Sequence, residues 1–289
     1  MAYISHMDAE WRTVAAKIGG GVMRCPLPAA DIVRVAGEDA AAFLDAQLMN
    51  TLPAGEDGCG YNGYCSPKGR LLCTLTVWRA AGAFFLLADR GLGADFAGRL
   101  KKYVLRAKVA VAAGDSFTCT GLIGGEGGEV AAAGARLLRL PGTLPRFAAV
   151  SEEPPGGGAL QAREVGENIW EAARIFAGAP RITPATCEKF LPQQLNMEEL
   201  GGLSFNKGCY PGQEVIARLH FLGKQKTKMF RRILPPQRAP QPGAAVTDSA
   251  GRPIGSVVTA ARLPDGRLLV QAVLPLSDEG EIQFRAQGA

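Results

Sequence analysis

Glycine and proline punctuate this chain closely enough to forbid long regular elements, with 37 glycines and 19 prolines spread over 289 residues. Proline removes an amide donor and glycine loses the most backbone entropy on ordering, so the chain should fold into short strands and helices joined by turns, not into a helix bundle. An apolar fraction of 47% against 20% charged residues is that of a folded globular protein. The length favours two domains, or three compact ones. No apolar run reaches the ~18 residues that a membrane span needs, and residues 1–20, read as an irregular end carrying His6, lack the apolar core of an export signal.

Asp31 to Val35 alternates as a half-buried strand does, and Gly37-Glu-Asp39 leads into a helix over Ala40 to Leu48, with Asp39 as its cap and Phe43, Leu44 and Leu48 on its buried face. A turn-rich stretch from Gly58 to Gly69 follows. Leu71 to Trp78 and Phe84 to Ala88 then read as neighbouring antiparallel strands joined by an Ala-Gly turn. Leu92, Phe96, Leu100 and Tyr103 fall at helical spacing, and Lys108 to Ala112 resumes a strand. Gly124 to Gly134 and Glu152 to Gly158 read as exposed connections. Ala162 to Ala177 has the pattern of an amphipathic helix closed by Gly178, with Pro180 beyond. After Met229 short β-rich runs are split by Pro and Gly, and Asp265-Gly266 signals a hairpin. Such a pattern fits a small antiparallel barrel or sandwich.

Seven cysteines, odd in number and without a C-x-x-C pair, suggest neither a disulfide framework nor a zinc ribbon, and fit a reducing compartment. With only His6 and His220 as histidines, a serine-histidine triad or a histidine-rich metal centre has little to draw on, and no metal site is expected. Neither a dinucleotide-binding nor a Walker-type glycine motif occurs. The net charge of +5 is compatible with an anionic small ligand. Its densest cluster, Lys224, Lys226, Lys228, Arg231 and Arg232, reads equally as a solvated strand edge or as an anion site.

The segment with the most chemistry is Lys207-Gly-Cys-Tyr-Pro-Gly-Gln-Glu214. Gly208 and Gly212 permit tight backbone paths, and Pro211 suits the first position of a helix through Val215, Ile216 and Leu219. Cys209 would then precede a helix N-terminus with Lys207 two residues away, and both favour the thiolate. On physical grounds alone, a turn into a helix with a buried, inert cysteine stands beside the reactive thiol as an open alternative.

That octapeptide resembles the signature of the YgfZ family of folate-binding iron-sulfur cluster assembly factors, in which the position of Pro211 is commonly another residue. Trp170-x-x-x-Arg174-Ile-x-x-Gly178-x-Pro180, Phe190-Leu-Pro-Gln193 and Leu200 to Phe205 resemble the run into it. Ser66-Pro-Lys-Gly-Arg70 and Tyr103-Val-Leu-Arg106 resemble blocks nearer the N-terminus. The resemblance spans about residues 31 to 275. It implies an α+β architecture shared with the glycine-cleavage aminomethyltransferases: two interleaved α+β units and a C-terminal antiparallel β-barrel around a central channel that holds tetrahydrofolate. The corresponding boundaries are 22–115, 116–228 and 229–289, with the helix from Ala162 returning to the first unit.

By the same resemblance, the protein is expected to be a folate-binding accessory factor of the bacterial cytoplasm that assembles or repairs iron-sulfur clusters in client enzymes, tRNA-modifying ones among them. Lys207 and Cys209 would carry the chemistry. Tyr210, Gln213, Glu214, Arg218, Arg70 and Arg106, with Lys224 as a further candidate, would bind the cofactor, the arginines pairing with its anionic tail. The rival is a tetrahydrofolate-dependent aminomethyltransferase. Those relatives place an aspartate shortly after a hairpin glycine, where this chain has Gly69-Arg-Leu-Leu-Cys73, so a turnover enzyme is not expected. Direct RNA binding ranks below both, because no recognition motif or aromatic stacking cluster accompanies the basic run.

Overall fold

The computed structural model describes residues 2–27, 31–56, 58–114, 117–125, 135–151, 162–248 and 250–277. Three sheets organise them. One contains β1 (Met23–Leu27), β7 (Thr118–Ile123), β8 (Arg136–Arg139), β9 (Arg146–Ser151) and β10 (Arg163–Glu164), in the order β10-β1-β7-β9-β8. The second contains β2 (Ile32–Ala36), β3 (Cys59–Cys65), β4 (Leu71–Ala80), β5 (Ala83–Ala88) and β6 (Ala110–Gly114), in the order β3-β4-β5-β2-β6. The third contains β11 (Thr227–Leu234), β12 (Ala245–Thr247), β13 (Pro253–Arg262) and β14 (Leu268–Pro275), in the order β11-β14-β13-β12. Five helices accompany them: α1 (Ala2–Lys17), α2 (Ala40–Asp45), α3 (Gly93–Lys101), α4 (Glu167–Phe176) and α5 (Gln213–Leu222).

The β4–β5 hairpin forms as its alternation requires, with Ala80 opposite Ala83 and the turn at Ala81-Gly82. Val33, Val35, Leu44, Leu75, Leu86, Phe96 and Leu100 form the largest core with Ile182, Phe190, Leu195, Met197 and Ile216. The segment 182–216 thus packs onto the second sheet although a different sheet precedes it in the chain. On its other face the second sheet meets the first: Ile32, Trp78 and Phe85 pack against Cys119, Leu138, Ala148 and Val150. Trp78 and Phe85 stack with ring centroids 5.5 Å apart. This face-to-face contact positions the cavity described below.

Several expectations are corrected. Gly58 to Gly69 is not mainly a turn, since β3 occupies Cys59–Cys65 and pairs along β4; glycines that look like turn residues sit here inside a buried ladder. The helix expected to Leu48 ends at Asp45, and Asp39 does not cap it. Its carboxylate accepts instead from the Lys108 amide at 2.7 Å, tying the helix start to the chain entering β6. The helix expected from Ala162 starts at Glu167, because Arg163 and Glu164 are drawn into a parallel pairing with β1. It packs against β13, β14, α1, β1 and β7. The N-terminal end is not irregular: Met7, Trp11 and Val14, spaced i, i+4, i+7, bury one face of α1, and Trp11 meets Phe176 with ring centroids 5.4 Å apart. Among the described residues the third sheet is open, with no closed barrel. The Asp265-Gly266 hairpin does join β13 to β14, through the Leu263 amide donating to the Arg267 carbonyl. Glu152 to Gly158, and Gly124 to Gly134 apart from its first two glycines, lie outside the described residues.

Candidate functional site

Where the first two sheets and α4 converge, they leave a cavity of about 680 Å³. Period-two alternation supplies most of its polar lining. Thr74 and Thr76 share the face of β4 that carries Trp78. Asp89 continues the inward stripe of Phe85 and Leu87 beyond the end of β5, and Arg146 begins the inward stripe of Ala148 and Val150 on β9. From α4, Glu167, Trp170, Glu171 and Arg174 line the cavity at i, i+3, i+4 and i+7, while Ala172, Ala173 and Phe176 on the opposite face enter the core with α1. Gly121 makes this arrangement possible, since a Cβ there would stand 2.7 Å from the Trp170 indole. Tyr61, Arg181, Asp31, Arg90 and Asn168 complete the polar set.

The buried charges are arranged unevenly. Glu171 is the hub: it accepts a bidentate pair from Arg174, an ion pair from Arg181 at 3.3 Å and a hydrogen bond from Thr259 at 2.5 Å. Burial pushes its carboxyl up, but the two guanidiniums and the donated hydrogen bonds overcome this and hold it at about 2. Arg146, 1% exposed, has no such partner; burial and the nearby Arg174 push its guanidinium down to about 9. Asp89 is pushed up to about 6 by burial, against three hydrogen bonds from Thr74 and Ile182.

Asp89 therefore gives a stability prediction. Its folded-state value lies above the ~3.9 of an exposed aspartate, so its contribution is fully present below about pH 4 and is lost as pH rises through about 6. Asp89→Asn keeps an acceptor for Thr74 and removes the buried charge. The ligand-free variant should exceed the wild type at pH 7 by on the order of 2 kcal/mol and match it at pH 4. Urea titrations at the two pH values check this, and equal stabilities at pH 7 would show the carboxylate to be fully compensated.

The signature segment forms a second locus. Gly212, at φ +83°, brings its backbone against the Ser66–Arg70 turn, where a Cβ would stand 2.6 Å from the Gly69 Cα. It is Gly212, not Pro211, that precedes the first residue of α5. Lys207 is turned inward with its side chain 2% exposed. Its ammonium donates to the carbonyls of Asp45, Leu48 and Asn50 at 2.8, 2.8 and 3.0 Å and pairs with the Asp45 carboxylate at 3.0 Å. Burial pushes its pKa down, opposed by the Asp45 hydrogen bond. Tyr210 is buried beneath it, the ammonium lying 5.7 Å from the ring centroid, and burial pushes its phenol up. Cys209 alone among the seven cysteines is exposed.

The structure thus brings together Lys207, Tyr210, Gln213 and the Ser66–Arg70 turn. None of the expected site residues lines the cavity, Lys207, Cys209, Tyr210 and Gln213 included: Arg70 donates to the Lys189 carbonyl, and Arg106, Arg218, Glu214 and Lys224 are exposed. Sequence reasoning missed Asp89, Arg146, Glu171 and Tyr61. The available signal was positional: Asp89 and Arg146 are charged residues occupying inward positions of otherwise apolar stripes.

No helix among the described residues is long and apolar enough to cross a membrane. No family model matches the chain. A tRNA-modifying protein YgfZ from Klebsiella pneumoniae is 32% identical over 287 residues, covering 89% of this chain and 86% of the relative. The protein of that name from Edwardsiella ictaluri is 30% identical over 270 residues, covering 84% and 81%. Among solved structures, the glycine cleavage system aminomethyltransferase T from Bartonella henselae superposes with a TM-score of 0.65 at 16% identity, over 93% of this chain and 83% of that one. The fold is therefore aminomethyltransferase-like, and the chain belongs to the YgfZ family of tRNA-modifying proteins.

Proposed function

We propose that the protein is a folate-binding accessory factor for iron-sulfur cluster assembly or repair in client enzymes, tRNA-modifying enzymes among them. The cavity would hold tetrahydrofolate and the signature segment would offer a working thiol. The observation that carries the folate reading is the cavity's lining. A volume of about 680 Å³ falls in the usual range for small-molecule sites. Its walls include Leu27, Leu87, Leu140 and Trp170 for a planar ring, while Tyr61 Oη, Arg146 Nε and Arg181 Nε are buried without hydrogen-bond partners among the described residues. Buried polar atoms left unpaired are costly, so they argue for a ligand that pairs them. For the thiol, support comes from the exposure of Cys209 on a segment whose lysine is anchored underneath it.

The aminomethyltransferase remains the second reading, because Asp89 does put a carboxylate into the cavity, reaching Thr74 on β4 from the end of β5. Titration of purified wild type and Cys209→Ala with tetrahydrofolate, together with an assay of aminomethyl transfer, separates the readings. The accessory role predicts equal folate affinity in both proteins, no transfer turnover, and loss of support for client iron-sulfur enzymes when Cys209→Ala replaces the wild type in a bacterial strain lacking its own family member. Turnover would favour the transferase. Absence of saturable binding would remove folate from both.

A further inference from the structure

The cavity contains a buried cation with which no carboxylate among the described residues forms an ion pair. Arg146 is 1% exposed, and among the described residues no carboxylate pairs with it, since the nearby Glu171 is committed to Arg174, Arg181 and Thr259. One guanidinium nitrogen donates to the Pro141 carbonyl at 2.7 Å; its Nε is buried without a partner among the described residues. The guanidinium lies 5.6 Å from the centroid of the Trp170 ring, which is itself seated on Gly121. Facing the same cavity, Asp89 presents the opposite polarity. Thr74 N, Thr74 Oγ1 and Ile182 N all donate to its Oδ2, at 2.7, 2.8 and 3.2 Å, leaving Oδ1 without a partner among the described residues.

An isolated buried charge is strongly unfavourable, and a fold retains one where a bound group repays the cost. A guanidinium donates only, so its missing partner must be an acceptor; an ionised carboxylate accepts only, so the open Asp89 oxygen calls for N–H donors. A ligand that meets both presents a carbonyl oxygen and N–H groups on one rigid frame, as a 2-amino-4-oxo pterin does. The two ionised carboxylates of a folate tail could pair with the guanidinium but fit less well, because they carry no donor for the open Asp89 oxygen.

We propose that Arg146 receives the 4-oxo oxygen of the bound pterin while Asp89 takes its N–H groups, so that these two residues set a preference for 4-oxo pterins over their 4-amino analogues. This deepens the folate reading of the cavity and rests on it. A 4-amino group turns a donor toward a donor, leaving Arg146 unpaired in the complex. Specificity then arises as rejection of the analogue and not only as attraction of the ligand.

Calorimetric titration with folic acid and with its 4-amino analogue aminopterin tests the assignment. The wild type should bind folic acid at least about tenfold more tightly, the ratio that one unsatisfied buried hydrogen bond produces. In Arg146→Met that ratio should fall to within about threefold, chiefly through loss of folic acid affinity. The ligand-free variant should melt at or above the wild type, because a buried unpaired charge has gone. A structural arginine behaves oppositely: a variant that melts well below the wild type, or does not fold, overturns the assignment. So does a wild type that binds both compounds equally, or a variant that keeps the wild-type ratio. If neither compound binds the wild type, the folate reading of the cavity falls and the assignment with it. Equal binding leaves the folate reading standing and removes only the roles given to Arg146 and Asp89.

Discussion

Glu171→Ala should lower the unfolding free energy by about 3–5 kcal/mol, the usual cost of removing one member of a buried charge network. For a chain of this size that is a fall in melting temperature on the order of 10 °C. Glu171 joins three parts of the molecule. It neutralises Arg174 from the next turn of α4 and Arg181 from the segment beyond Gly178, and it accepts from Thr259 on β13 in the third sheet. Without it two guanidiniums remain at the cavity wall, and the Thr259 hydroxyl loses its carboxylate acceptor. The sign of the pH effect follows from its depressed carboxyl. Glu171 is held at about 2 against ~4.3 for an exposed glutamate, so its stabilisation is present above about pH 4 and is lost as pH falls toward 2. Glu171→Gln should lack this acid limb while keeping the shape of the side chain. The double variant Glu171→Gln, Arg174→Met should lose less than the sum of the single changes, because removing both members of a pair costs less than stranding one. Thermal melts from pH 3 to pH 7 on the wild type, the two Glu171 variants, Arg174→Met and the double variant provide the check, and additive losses would show that the two residues act independently.

The same cluster shows where sequence pattern stops informing. Glu167 to Phe176 is legible as a helix because Ile169, Ala172, Ala173 and Phe176 repeat at its period, and Gly178 adopts the left-handed conformation, φ +78°, expected just beyond a helix end. Pattern reading then assigns the opposite face to solvent. Here both faces are covered: Glu171 and Arg174 are each 8% exposed and line the cavity, which apolar periodicity does not register. The β4–β5 hairpin and the Asp265-Gly266 turn are local, and so they are legible. The pairing of β1 with β7, roughly a hundred residues later, is not; nor is the return of 182–216 to the second sheet, because both are decided by long-range burial. Arg146 and Asp89 fall between these cases. The strand leading to Asp89 is legible in sequence and the one carrying Arg146 is not, and the cavity that makes an inward charge meaningful exists only once two sheets face each other.

Lys207 is the second residue whose loss should be felt strongly, and the reason separates anchoring from chemistry. The carbonyls of Asp45, Leu48 and Asn50 point to one place as the chain leaves α2, and a lysine from 157 to 162 residues away fills it. A cation suits the negative end of that helix, and burial of its long stem contributes packing. Lys207→Met retains the stem and deletes the three donors, leaving the carbonyls and the Asp45 carboxylate without their cation, at a cost of about 3 kcal/mol. The segment above should loosen first. Amide exchange at residues 204–212 is expected to quicken more than tenfold, and alkylation of the Cys209 thiol to change in rate, while the β4–β5 hairpin stays protected. Lys207→Arg should rescue little, since a planar five-donor fork does not match a compact cage built for a point-like ammonium. A lysine that served only as a proton-transfer group would behave differently. Its replacement by methionine would leave the melting temperature and the exchange pattern of the signature segment at wild-type values, and that result would end the anchoring interpretation.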